Sequence, residues 1–159
     1  MHLKIVQKDF LNGLKDPVGI VVAPTNGIIG KSGLVMGAGA AKALASSVQE
    51  IQQAFAKEIE RQGKKQNNCW IYGFVIAYDL NFRIYGAFQT KTHFKDLSNL
   101  NLISLSSQKL AIWLEKNPGW RIHMAFPGIG LGGLSPDSVL EVLEKELYRY
   151  SDRVVLYKK

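Results

Sequence analysis

Apolar positions follow three rhythms along this chain, and each rhythm predicts a kind of element. Leu3, Ile5 and Gln7 alternate with Lys4, Val6 and Lys8, which predicts a first strand ending at Asp9, followed by a loop over FLNGLKDP. From Val18 to Ala23 the chain is apolar without alternation, as expected of a central strand covered on both faces, and it breaks at Pro24. A segment with Gly27, Gly30, Gly33, Gly37 and Gly39 follows and runs into an alanine-rich helix start. Leu44, Val48, Ile51, Phe55 and Ile59 then recur every three or four residues, which predicts one long amphipathic helix stopping at Gly63.

The second half repeats the alternation of strand and helix. Two β-rich runs, CWIYGFVIAY and FRIYGAFQ, are joined by Asp79-Leu80-Asn81 as a hairpin or tight connection. A polar turn, TKTHFKDLSNL, leads into a helix carrying Leu100, Ile103, Leu110 and Leu114, which ends before Pro118-Gly119. The strand WRIHMAF breaks at Pro127 into a second glycine segment, GIGLGGL. Ser135 reads as a helix N-cap with Pro136 at the first helical position, ahead of Val139, Val142, Leu143 and Leu147 and a last strand, RVVLY. The order of elements predicts an α/β fold with a mixed sheet.

Composition narrows the class. A length of 159 residues suits one domain over 1–159, and 47% apolar with 21% charged residues excludes disordered and fibrous chains. No apolar run approaches the about 20 residues of a membrane span, and the N-terminus is unlike a signal peptide. A cytoplasmic monomer without membrane contact is expected. Cys69, alone in an apolar run, is expected to be a buried structural thiol. No metal cluster or cofactor is implied. The net charge of +7 points to acidic partners, nucleic acid first, although the scattered lysines are equally compatible with a solvated surface.

The two glycine segments carry the chemistry. Each follows a central strand and precedes a helix, so both should open at the same sheet edge, where open α/β folds bind ligands. Glycines allow close backbone approach, and a helix start presents unpaired N–H groups with the positive dipole end, so the expected guest is a diphosphate. Gly30-Lys31-Ser32 imitates the end of a nucleotide-binding P-loop, but Thr25 stands where that pattern requires glycine, and the helix begins too late.

Together these residues resemble the macrodomains that bind ADP-ribose, over nearly the whole chain. Asp9-Phe10 resembles their acidic-apolar pair after the first strand, and Ala23-Pro24-Thr25-Asn26 stands in the place of their Asn-x-x-Asn turn, keeping only the second Asn. The run 35–41, with Met36, Gly37, Ala38, Gly39 and Ala40, is similar to the first ligand loop. The second loop corresponds to Ala125-Phe126-Pro127 followed by Gly128, Ile129, Gly130, Leu131, Gly132, Gly133 and Leu134. Thr90-Lys91-Thr92-His93-Phe94-Lys95 resembles a T-K-x-H-aromatic segment of one branch, which contains antitoxins that strip ADP-ribose from DNA and terminal ADP-ribose protein glycohydrolases. The Gly-Leu-Gly-Gly of 130–133 is closer to the DNA-directed members, since the protein-directed ones carry an acidic catalytic residue at what aligns as Gly132. About five extra residues between Asn26 and Met36 are a further departure.

The resemblance implies a macrodomain-like three-layer α/β/α sandwich and an ADP-ribosyl hydrolase acting on a modified macromolecule, nucleic acid before protein. A non-catalytic ADP-ribose reader and a phosphatase for ADP-ribose 1″-phosphate remain alternatives. In this reading Asp9 accepts a hydrogen bond from the adenine amino group, or else merely caps its loop. Asn26 serves the distal ribose hydroxyls, or a local turn. Lys91 is the catalytic candidate, either as an amine attacking the anomeric carbon or as a cation beside the leaving group. His93 is a proton shuttle or a turn histidine bonded to backbone.

Overall fold

The computed structural model describes residues 2–159. Its strands are β1 (Lys4–Val6), β2 (Gly19–Thr25), β3 (Ile29–Gly30), β4 (Gly33–Leu34), β5 (Lys64–Gln66), β6 (Cys69–Ile71), β7 (Phe74–Tyr78), β8 (Ile84–Gln89), β9 (Arg121–Ala125) and β10 (Val154–Tyr157). The helices are α1 (Gly39–Ser47), α2 (Ile51–Gln62), α3 (Leu100–Lys116) and α4 (Pro136–Leu147). Six strands form one sheet in the order β1-β10-β9-β2-β8-β7, parallel except for the antiparallel β7–β8 hairpin. Two buried clusters flank it. Phe55, Ile59, Leu34 and Leu44 pack with α1 and α2 on one face, and Ile103, Leu110, Leu143 and Leu147 with α3 and α4 on the other, which gives the α/β/α layering. No helix of the described residues is long and apolar enough to cross a membrane.

Several local expectations change. Pro24 does not break β2: the strand runs to Thr25, because pairing with β9 ends at Val22 and Pro24 lies where one side is open, as a residue without an N–H requires. The expected loop after β1 is a 3-10 helix, Phe10–Lys15, capped by Asp9. Ile5 is exposed, on the strand at the sheet edge. The single long helix is two, separated at Val48–Glu50, with Glu50 in the left-handed region at φ 66°. The periodicity runs through the break because Val48 and Ile51 bury in the same cluster as Leu44 and Phe55.

Within the first glycine segment lies the β3–β4 hairpin, with Lys31 and Ser32 exposed at its tip. The P-loop imitation therefore sits away from any helix start. CWIYGFVIAY is likewise not one strand. Gly73 (φ 75°) turns the chain between β6, which pairs with β5, and β7, which joins the main sheet. Cys69 is consequently half-buried on a hairpin rather than enclosed in the core. The Ser135 cap stands as expected, its Oγ accepting from Ser138 N, with Pro136 at the helix start.

Candidate functional site

The parallel strands β1, β10, β9, β2 and β8 end at one edge of the sheet, and the segments after the adjacent β8, β2 and β9 converge there. They enclose a cavity of about 600 Å³. Asn26, residues 36–40, Lys91 and residues 128–132 line it, so both glycine segments and the lysine meet as the sequence implies. Asp9, Phe10, His93, Gly133 and Leu134 do not line it.

The first wall is the start of α1. Ala38, its N-cap residue, offers no side-chain cap bond, and the first turn holds no acidic residue. The opening N–H groups and the positive dipole end are left to a ligand, and the glycines and alanines of 37–41 keep side chains out of its way. The second wall is the turn 128–133. Gly128 (φ 78°) and Gly130 (φ 63°) need left-handed backbone, and Gly132 lies against Ser98, whose Oγ a Cβ there would meet in its present position. A side chain at 132 would require the Ser98 hydroxyl to turn away. Gly133 and Leu134 close the turn, through Gly133 N to Gly130 O (3.0 Å) and Leu134 N to Gly128 O (2.9 Å).

Between the walls stand Asn26 and Lys91. Asn26 is buried; its Nδ2 donates to Val35 O at 2.8 Å and its Oδ1 accepts from Ile28 N at 3.0 Å, so it ties both ends of the hairpin insertion to the end of β2. Each bond leaves a second donor and a second acceptor site on the amide. Lys91 follows β8, is half-buried, and is the only charged residue lining the cavity among the described residues. No carboxylate pairs with it among those residues.

Lys91 is held by residues the sequence reading did not single out. Gln89 is fully buried and uses both ends of its amide: Oε1 accepts from Tyr72 N (2.9 Å) and Gly73 N (3.1 Å), and Nε2 donates to Trp70 O (2.8 Å) and Lys91 O (3.2 Å). The Tyr72 hydroxyl donates to Asn26 O at 2.7 Å and lies 2.6 Å from Thr25 Oγ1; burial raises its pKa well above the usual tyrosine range. The available sequence signal was a glutamine closing an otherwise apolar strand. Position alone does not disclose what such a residue bonds to.

The remaining candidates have other partners. Asp9 Oδ1 accepts from Leu11 N at 3.0 Å and Oδ2 faces Lys159 Nζ at 3.5 Å, so this carboxylate caps the 3-10 helix. Phe10 is buried in the cluster beneath α1 and α2. His93 Nδ1 accepts from Lys95 N at 3.1 Å and its ring packs on Phe94, which makes it a backbone-bonded turn residue in this structure.

Comparison with solved structures follows this geometry over the whole chain. The macrodomain of Mycobacterium tuberculosis DarG superposes with a TM-score of 0.78 at 20% identity, covering 99% of this chain and 97% of that one. The fold is that of a macrodomain. The macrodomain of Thermus aquaticus DarG gives 0.76 at 22% identity, with coverage of 99% and 97%. Thermosipho africanus DarTG, solved in complex with ADP-ribose, gives 0.74 at 18% identity, with 99% of this chain matching 41% of that longer one. No family model matches the sequence, and a search of curated proteins finds no match either.

Proposed function

We propose that this protein binds ADP-ribose in the cavity and hydrolyses its bond to a modified macromolecule, nucleic acid rather than protein. One observation carries the reading: the start of α1 and the glycine turn 128–133 enclose a cavity whose only charged lining residue, among the described residues, is Lys91. The diphosphate lies against the start of α1 and the turn 128–133. Asn26 and Lys91 take the distal ribose. The adenine lies past Phe126 toward Asp9 and Phe10, which share the sheet edge because β1, β10 and β9 run parallel there.

In the reaction, the Lys91 amine attacks the anomeric carbon, the bond to the macromolecule breaks, and the departing group takes up a proton; water then releases the ribose from the lysine. A charged Lys91 that stabilises the leaving group is the other route by which the same residue lowers the barrier. The test is release of free ADP-ribose from ADP-ribosylated oligonucleotide and from ADP-ribosylated protein. Release from the oligonucleotide is expected, and no release from either substrate defeats the enzyme reading. The absence of a carboxylate from the lining residues among those described favours a second reading, an ADP-ribose reader without turnover. Calorimetric binding of ADP-ribose with no release would decide for it.

A further inference from the structure

The two edges of the main sheet are unlike. β1 is three residues long and begins with the exposed Lys4, both devices that keep an edge from pairing. β7, at the other edge, runs five residues from Phe74 to Tyr78 with neither charge nor proline. The β7–β8 ladder is closed at its two ends by Gln89 N donating to Gly73 O (2.7 Å) and Asp79 N donating to Arg83 O (3.0 Å). Antiparallel pairs alternate between bonded and unbonded, so Val75 and Ala77 exchange bonds with β8, while Ile76 and Tyr78 turn their N–H and C=O groups away from it. No strand meets those groups among the described residues.

This edge is flanked rather than covered. A groove of about 450 Å³ follows it between α2, which contributes Arg61 and Gln62, and α3, which contributes Ile112 and Trp113. Tyr78 on the strand and Ile112 on the helix are 57% and 53% exposed. Among the described residues, the cations Arg61, Lys109 and Lys116 line the groove against one carboxylate, Glu58. Glu58 is already held by Arg61 and by Gln62 Nε2 (2.9 Å). Lys109 Nζ donates to Tyr72 O at 2.8 Å, and neither Lys109 nor Lys116 has a carboxylate partner among the described residues. The groove therefore combines open strand backbone, an apolar wall and positive charge that no acidic group offsets.

We propose that β7 is a docking edge for an extended acidic peptide of a partner protein, which adds to the sheet as a further strand. Its main chain bonds Ile76 and Tyr78, and alternate side chains enter the α3 side of the groove, an apolar one against Ile112 and Trp113 and acidic ones toward Lys109 and Lys116. The two lysines are two turns apart, about 10 Å along α3, and strand residues four apart span about 13 Å. Carboxylates at i and i+4, with an apolar residue at i+2, therefore reach both. A second copy of this chain suits the edge poorly: β7 against β7 would set Arg61, Lys109 and Lys116 against their own counterparts in a chain of net charge +7. The groove shares no lining residue with the cavity beside Lys91, so this inference does not depend on what that cavity binds.

The experiment is an amide-detected NMR titration of the full chain with the peptide acetyl-Thr-Glu-Thr-Val-Thr-Glu-Thr-amide, whose palindromic order suits either strand direction. A control peptide carries lysine in place of both glutamates. The acidic peptide is expected to shift the Ile76 and Tyr78 amides and slow their exchange with solvent, and the lysine peptide to bind about tenfold more weakly or less. Ile112→Glu/Lys116→Glu alters two exposed positions of α3 and should lower affinity about tenfold or more at unchanged Tm. Ile76→Pro removes an outward N–H, a change that an edge strand accommodates, and should abolish binding; if that variant does not fold, the α3 variant decides. No binding of the acidic peptide at millimolar concentration would overturn the inference, as would equal binding of the lysine peptide or unmoved Ile76 and Tyr78 amides. Sedimentation showing a dimer that Ile76→Pro dissolves would overturn it in favour of a second copy on the same edge.

Discussion

Lys91 and Asn26 share one cavity but should fail in different ways when altered. Among the described residues the Lys91 side chain makes no ion pair, so Lys91→Ala should leave Tm and ADP-ribose affinity nearly unchanged while turnover falls roughly 10²-fold or more, the scale of a catalytic electrostatic or proton-transfer group. Lys91→Arg keeps the charge without a neutral amine; recovered turnover would indicate leaving-group stabilisation, and continued loss an attacking amine. Full activity in Lys91→Ala would remove the residue from the mechanism. Asn26 combines ligand and scaffold, since its amide bonds Val35 O and Ile28 N. Asn26→Ala leaves both groups unpaired and should cost about 1–3 kcal/mol in chemical denaturation, with weaker ADP-ribose binding. Unchanged stability would show that the amide does not hold the insertion.

Among the elements, the joint between α1 and α2 shows how a periodic pattern can mislead. The spacing of Leu44, Val48, Ile51, Phe55 and Ile59 satisfies a continuous helix, yet the chain turns at Glu50, whose φ of 66° is a left-handed conformation. A side chain there is strained by about 1–2 kcal/mol, less the backbone entropy that glycine loses on folding. Glu50→Gly should therefore stabilise the protein by a few tenths to about 1 kcal/mol, read as a shift in denaturation midpoint at unchanged slope; destabilisation would mean that the joint is not strained. The bend allows α1 to aim its uncapped start at the cavity while α2 packs along the sheet.

For the molecule as a whole, pH dependence reports on how distant segments are joined. Asp16, after the 3-10 helix, is held well below the usual carboxylate range, first by hydrogen bonding to the Arg121 guanidinium, then by His123 Nε2 (2.8 Å) and Val18 N, against the opposing effect of burial. His123 Nδ1 lies 2.7 Å from the Tyr157 hydroxyl, so this network joins β9, β10 and the 3-10 helix. Because the folded pKa is depressed, its stabilisation is present above the unfolded value of about 3.9 and is lost as pH falls through the folded one. Asp16→Asn should flatten that acid limb of a stability-pH curve. At the alkaline end, burial raises Tyr72, while burial and then the Asp79 hydrogen bond push Tyr85 up to about 12. Their stabilisation is complete below the unfolded value of about 10 and is lost as pH rises through the folded values. Tyr72→Phe should blunt the alkaline fall, and an unchanged curve would contradict the assignment.

The alternation of strand and helix, the two glycine segments, the cap at Ser135-Pro136 and the presence of Asn26 and Lys91 at segment ends were all legible in the sequence. Each is a local matter: periodicity states which side of a segment is buried, and glycine or a capping hydroxyl states what the backbone does within a few residues. The strand order β1-β10-β9-β2-β8-β7, the turn of CWIYGFVIAY at Gly73, the packing of Ser98 beneath Gly132, and the role of Gln89 in fixing the Lys91 backbone were decided only in three dimensions. So was the bond from Leu11 N by which Asp9 caps the 3-10 helix. These features depend on hydrogen bonds and contacts between residues far apart in the chain, such as Tyr72 with Asn26, and a local apolar rhythm records that a residue is buried without recording what it is buried against.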